Sequence, residues 1–284
     1  MTTSTITGTP WHPEDEQVDC ASVKALRREM KKCINELKKS PFYRDFQIQF
    51  QSSPISRRIQ RLLGSKSKMQ MVIYGIGSIS ECKSSQLQLS LAILMKKDFI
   101  WVGEIEVFDP ILSKTEIKVL ESLDCLVLYV NEEGRRQALE PTMFFMPHCD
   151  IGLFNNLLEA NWKPNLLSNV FIFGNSLDGH LETLFYGWED NTKRKFIWPV
   201  LGHVLAAETF TNEFKMRAIT YGGSHRTGKV SHSKNKKRTG KDTSDFQEDC
   251  EHSFYGLAWH VFSPLTETVM GLMRWYVREV LFRL

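Results

Sequence analysis

The chain has 284 residues, with 36 Lys and Arg against 33 Asp and Glu, 42% hydrophobic and 24% charged residues. That balance is globular; it excludes a chain disordered throughout, a coiled-coil rod and a low-complexity polymer, and the length suits one generous domain or two tight ones. A net charge of +3 carries no global nucleic-acid signature, so an anionic partner would have to meet a local basic patch.

Residues 1–19 are Thr-rich, then acidic, without periodicity. They read as a flexible leader and not as a secretory signal, because no apolar run follows a basic start. From 20 to 64 the sequence predicts a basic helical segment. Leu26, Met30, Cys33 and Leu37 recur at helical spacing, while Lys24, Arg27, Arg28, Lys31, Lys32, Lys38 and Lys39 occupy the other faces. Pro41 ends that helix and Ser53-Pro54 marks a second break. A short helix with Arg57, Arg58 and Arg61 then closes at Gly64. Such basic helices could touch an acidic partner, although solvated charge around one apolar stripe explains them equally.

Residues 65–180 carry the core. Met71–Tyr74 is a short apolar strand ending in Gly75-Ile76-Gly77-Ser78, and Ser85 with Gln88 predicts a capping box opening the helix Gln86–Lys97. Ile105–Phe108 is a second strand, ended by Asp109-Pro110. Ser113 and Glu116 form another capping box, ahead of Ile117 and Leu120. Leu126–Val130 is a third strand, Asn131–Leu139 a charged helical turn, and Met143–Met146 a fourth strand. Pro147-His148-Cys149-Asp150 then leads into a helix with Leu153, Phe154, Leu157 and Leu158, and Val170–Phe173 is a fifth strand before Gly174-Asn175-Ser176. Apolar strands without in/out alternation, separated by helices, predict an α/β, Rossmann-like three-layer fold with a mostly parallel sheet.

Beyond the core, 181–221 reads as a divergent, partly helical segment, with a helix starting at Trp198-Pro199. Residues 222–250 read as a basic, polar, disordered linker and 251–284 as a C-terminal amphipathic helix. Pro264–Leu284 is interrupted by Glu267, Arg274, Arg278, Glu279 and Arg283, so no membrane span is expected. Cys20, Cys33, Cys82, Cys125, Cys149 and Cys250 form no CxxC pair; the pattern gives no metal site and fits a reducing compartment.

In a parallel sheet the carboxyl ends of the strands face one crevice. There the chain delivers Gly75, Gly77 and Ser78, then Asp109, then His148, Cys149 and Asp150, then Asn175 and Ser176. Gly75-Ile76-Gly77 is like the opening of a dinucleotide or S-adenosylmethionine loop, with Asp109 where a ribose-binding carboxylate would stand. It reads equally as a tight βα turn, since Ser80 holds the third glycine place. Gly75, Gly77, Ser78, Asp109, Asp150 and Asn175 are thus candidates for binding a nucleotide or S-adenosylmethionine, and His148 for acid–base catalysis. Asp150 serves equally as a helix N-cap. Gly223–Lys229 nearly spells a phosphate loop, but Val230 replaces the hydroxyl residue and no apolar helix follows. Lys234-Asn235-Lys236-Lys237-Arg238 is a cationic cluster of the type read by nuclear import receptors; without interleaved aromatics it supports no specific nucleic-acid recognition.

Taken together, Tyr74-Gly75-Ile76-Gly77-Ser78, Gln88–Leu94, Glu106-Val107-Phe108-Asp109-Pro110, Phe144–Cys149 and Phe173-Gly174-Asn175-Ser176 resemble the "sensitivity to red light reduced" protein family, in the same order and closest to plant members. The resemblance covers about residues 20–180 and fades after Ser176. It implies a regulator of phytochrome B signalling and circadian clock input, present in cytoplasm and nucleus, working with protein partners. No settled catalytic activity accompanies it.

Overall fold

The computed structural model describes residues 8–13, 18–52, 54–176, 210–213 and 241–262. Three helices precede the sheet. In α1 (Cys20–Lys39) the Asp19 carboxylate caps Ala21 and Ser22 N–H, and Leu26, Met30, Cys33, Ile34 and Leu37 form one buried stripe. Pro41 does more than end α1. It opens α2 (Pro41–Ser52), where Ser40 Oγ accepts from Tyr43 N–H at 3.1 Å, because proline suits a first helical turn whose N–H is unpaired anyway. Pro54 likewise opens α3 (Pro54–Leu63), which stops at Gly64 with φ +55°.

Nine strands follow in chain order among the described residues: β1 (Thr9–Pro10), β2 (Met69–Tyr74), β3 (Val102–Phe108), β4 (Cys125–Val127), β5 (Val130–Asn131), β6 (Thr142–Met146), β7 (Val170–Asn175), β8 (Phe210–Glu213) and β9 (Leu257–Val261). The helices among them are α4 (Lys83–Asp98), α5 (Lys114–Ser122), α6 (Ile151–Ala160), α7 (Pro164–Leu167) and α8 (Lys241–Phe254). The main sheet has the order β4-β3-β2-β6-β7-β9-β8. Its first five strands are parallel, and β9 runs antiparallel to both β7 and β8. This is the expected α/β, Rossmann-like arrangement. The strand order reverses between β2 and β6, the topological switch point.

Alternate residues along the strands feed two cores. Met71, Ile73, Ile105, Val107, Phe145, Phe171 and Phe173 face α4 and α5, with α1, α2 and α8 packed beyond. Val72, Tyr74, Phe144 and Ile172 face α6 and α7. Helix α4 is buried from Ser85 through Met95, as a helix enclosed between a sheet and other helices must be apolar nearly all round. Its N-cap is Cys82, not Ser85. The expected capping box fails because the helix opens at Lys83, two residues before Ser85; Gln88, inside it, donates its amide to Ser253 O at 2.9 Å. The box at α5 is present, with Ser113 and Glu116 bonding reciprocally.

Three further expectations change. Residues 8–13 are anchored, not loose: β1 pairs antiparallel with β5, and Trp11 Nε1 donates to Pro110 O at 3.2 Å. The charged turn at Asn131–Leu139 is not helical. Gly134 has φ +74°, and Asn161 holds the segment open through Ala138 N–H and Arg136 O. Finally, residues read as linker and terminal helix supply α8 and the fully buried strand β9. Trp259 stacks on Phe173 across the ladder with ring centroids 3.9 Å apart, burial that composition alone conceals. The helix expected from Trp198, the Lys234–Arg238 cluster and the Pro264–Leu284 helix lie outside the described residues.

Candidate functional site

The rim beyond β2 is built on two glycines in left-handed backbone, Gly75 at φ +66° and Gly77 at φ +73°, where any side chain would be strained. Buried Ile76 and Ile79 pin the loop to the core. A Cβ on Gly75 would stand 2.7 Å from Cys149 Sγ, and one on Gly77 2.9 Å from Ser85 Oγ. The loop is therefore shaped for close approach, and the approaching groups are the protein's own.

Its donors are engaged in the same way. Gly77 N–H donates to Asp109 Oδ2 at 2.7 Å, while Asp109 Oδ1 accepts from Ile111 N–H at 3.0 Å. Glu116 Oε1 accepts from Ser78 Oγ at 2.7 Å and from Ser80 N–H at 3.0 Å; Oε2 accepts from Ser113 N–H at 2.8 Å. Gly75 N–H reaches Phe108 O, and Cys82 N–H reaches Ser78 O. Burial works against the Glu116 charge, but the Ser113, Ser78 and Ser80 hydrogen bonds outweigh it and hold the carboxyl below its ordinary range. Two carboxylates thus take acceptor places that a ligand's phosphate or carboxylate would use.

The β6 end divides its residues. Cys149 Sγ lies 3.2 Å from Tyr74 O, across the switch point. Burial, aided by the Asp109 and Asp150 charges, pushes its thiol up to about 12, so it packs as a neutral thiol. His148, in left-handed backbone at φ +54°, donates Nε2–H to Ser253 O at 3.0 Å and so tethers α8. Asp150 caps α6 through Gly152 N–H at 2.7 Å. Asn175 and Ser176 end β7, and neither Asn175 Oδ1 nor Ser176 Oγ has a hydrogen-bond partner among the described residues although both atoms are buried. The structure therefore joins Gly77 to Asp109 and Gly75 to Cys149, and it engages His148 and Asp150 in separate structural bonds.

Sequence reasoning missed Glu116 as an acceptor for the glycine loop, since its capping-box role already accounted for it. It also missed a half-buried network. Arg136 bonds Glu132 at 3.0 Å and Glu106; Gln70 donates to Glu106, and Tyr74 Oη donates to Glu132. Burial opposes the Arg136 charge, but Tyr74, Glu106 and Glu132 outweigh it and raise its pKa. Burial and the Glu132 charge raise that of Tyr74. Every charged member is paired, as burial demands. Among the described residues no group of three or more His, Cys, Asp or Glu could hold a metal ion, and no helix is long and apolar enough to cross a membrane.

The SRR1 domain model matches residues 46–261, from α2 to the end of β9. The chain belongs to the SRR1 family. The SRR1 match runs well past Ser176, where the resemblance was expected to fade, because β9 and α8 are integral to the same sheet and core. The chain is 45% identical over 206 residues to Protein SENSITIVITY TO RED LIGHT REDUCED 1 of Arabidopsis thaliana, covering 72% of each. It is 42% identical over 135 residues to an SRR1-like protein of Mus musculus, covering 47% of this chain and 54% of that one. A Drosophila melanogaster SRR1-like protein is 28% identical over 120 residues, 42% of this chain and 43% of that one. Among solved structures, the 23S rRNA methyltransferase ErmE overlaps with a TM-score of 0.37 at 10% identity, over 80% of this chain and 77% of that one. The plantazolicin methyltransferase BpumL overlaps with a TM-score of 0.30 at 13% identity, over 86% and 99%.

Proposed function

We propose that this SRR1-family chain is a non-catalytic regulatory protein of red-light signalling, acting through protein partners in phytochrome B output and circadian clock input, in cytoplasm and nucleus. The signalling half of the reading rests on the similarity to the Arabidopsis protein named for reduced sensitivity to red light, over 72% of each chain. The non-catalytic half rests on one observation: the glycine-loop donors of Gly77 and Ser80 are bound by Asp109 and Glu116. A Rossmann-like crevice needs free backbone N–H groups to hold a phosphate or carboxylate; here protein carboxylates stand in the ligand's place.

A second reading has its own support. Asn175 Oδ1 and Ser176 Oγ are buried without partners among the described residues, next to the switch point, and buried polar atoms ordinarily find a partner. On that reading the chain is a nucleotide- or S-adenosylmethionine-dependent transferase using Gly75, Gly77 and Asp109, with His148. Calorimetry and thermal-shift measurement of the full chain against ATP, NAD and S-adenosylmethionine separate the two. The regulatory reading expects no saturable stabilisation, with protein partners recovered by pull-down. Saturable binding by the unaltered chain, lost in both Gly77→Trp and Asp109→Ala while circular dichroism shows each variant folded, would establish the transferase reading instead. For the nuclear part, replacing Lys236, Lys237 and Arg238 by Ala should reduce nuclear accumulation of a tagged chain; an unchanged distribution would remove the import-receptor reading.

A further inference from the structure

Helix α1 carries one of two concentrations of positive charge; the other is residues 222–241, with seven Lys and Arg and no acid. Helix α1 holds seven Lys and Arg against two Glu, a surplus of five; the other 264 residues hold 29 against 31, a net −2. Lys32 pairs with Glu36 at 3.7 Å and Lys38 with Asp98 at 3.0 Å. Lys24, Arg27, Arg28 and Lys31 are exposed and have no carboxylate within ion-pair distance among the described residues. They lie three and four residues apart, so they form one stripe about 10 Å long on the helix surface.

Nothing intrinsic to α1 favours that arrangement. Lys24 with Arg28 and Arg27 with Lys31 are like-charge pairs at i,i+4, which weaken a helix by roughly 0.2–0.5 kcal/mol each. Lys24, at the edge of the first turn, also opposes the helix dipole. At that end the Asp19 N-cap carboxylate is committed to Ala21 and Ser22 N–H. The opposite face is committed, since Leu26, Met30, Ile34 and Leu37 are buried in the core.

We propose that the Lys24–Arg27–Arg28–Lys31 stripe of α1 is a docking surface for an acidic, Asp/Glu-rich segment of a protein partner. The site is separate from the crevice and does not depend on the signalling role. The charge distribution favours a short acidic segment over a polyphosphate. Duplex DNA carries a charge every ~1.7 Å and would extend beyond a stripe of about 10 Å onto Glu29 and Glu36 of the same helix. A membrane is disfavoured because the stripe has no exposed aromatic or large aliphatic side chain to insert.

Fluorescence anisotropy of the full chain tests this, using a labelled peptide of about twelve Asp and Glu residues, a labelled duplex DNA, and anionic phosphatidylserine vesicles as probes. The variant is Lys24→Gln, Arg27→Gln, Arg28→Gln, Lys31→Gln together. Glutamine keeps helix propensity close to that of Lys and Arg, and circular dichroism verifies that the fold is retained. The expected result is salt-sensitive peptide binding that weakens roughly tenfold or more in the variant, four surface ion pairs being lost, with the peptide preferred over DNA and vesicles. As a charge control, Arg57→Gln with Arg61→Gln on α3 leaves peptide binding unchanged. Equal peptide binding by the α1 variant, as a site in residues 222–241 would give, overturns the proposal. So does tighter binding of DNA or vesicles through the same four residues, or no peptide binding by the unaltered chain.

Discussion

Gly77 and Asp109, thirty-two residues apart in sequence, are joined by a 2.7 Å hydrogen bond from backbone N–H to carboxylate. The bond ties the loop after β2 to the end of β3 across the rim of the sheet. With the second Asp109 oxygen on Ile111 N–H, the carboxylate is a bracket between two loops. It stands where a ligand-binding acid would, yet both its oxygens already serve the protein.

Asp109→Ala should therefore act on stability before it acts on anything else. It leaves two N–H groups of a buried bracket unpaired, at a cost of about 2–4 kcal/mol, whereas Asp109→Asn keeps one acceptor and should cost about 1–2 kcal/mol. Urea unfolding midpoints measure both. An Asp109→Ala protein as stable as the unaltered chain would show that the bracket is not structural.

Gly75 and Cys149 form a second test. Alanine at 75 meets two penalties: left-handed backbone, worth about 1–2 kcal/mol, and a contact of 2.7 Å with Cys149 Sγ. Combining Gly75→Ala with Cys149→Ala removes the contact and leaves only the backbone cost. A double-mutant cycle should show a coupling of about 1–2 kcal/mol; additive effects would mean that the two residues do not meet.

The sign of the Glu116 shift sets a pH dependence. Its carboxyl is held below the ordinary value of 4.5 in the folded state, so its contribution is complete well above pH 4.5. It is lost as pH falls from there through the folded value, because the unfolded chain takes up the proton first. Thermal unfolding between pH 6 and pH 3 should accordingly show a steeper loss of stability in the unaltered protein than in Glu116→Gln, which has no such proton to bind. Parallel curves would place Glu116 outside this linkage.

His148 should matter for α8 and not for chemistry. His148→Gly removes the bond to Ser253 O while easing the positive φ. Gln88 still holds the same carbonyl, so global stability should change by no more than about 1 kcal/mol. Amide hydrogen exchange in Lys241–Phe254 should become several-fold faster, with β2 and β3 unaffected, as local opening of one docked helix requires. Unchanged exchange in α8 would mean that the tether is idle.

The parallel core, the two basic helices after the leader, the Ser113–Glu116 box and the Asp150 cap are legible in the sequence. They depend on local quantities: apolar runs of strand length, helical periodicity, and a polar residue at a fixed offset from a helix start. Which residues gather at the rim is legible as well, since parallel strands send their carboxyl ends to one edge. What those residues do there was decided by tertiary structure. Whether Asp109 and Glu116 face a ligand or a loop, whether His148 points to a crevice or a helix, and whether Leu257–Val261 is a tail or an interior strand are set by partners distant in sequence. Glu106, Glu132 and Arg136 read as surface charge until the fold brings them together, because burial and pairing of charge arise only when separate segments exclude water from the same place.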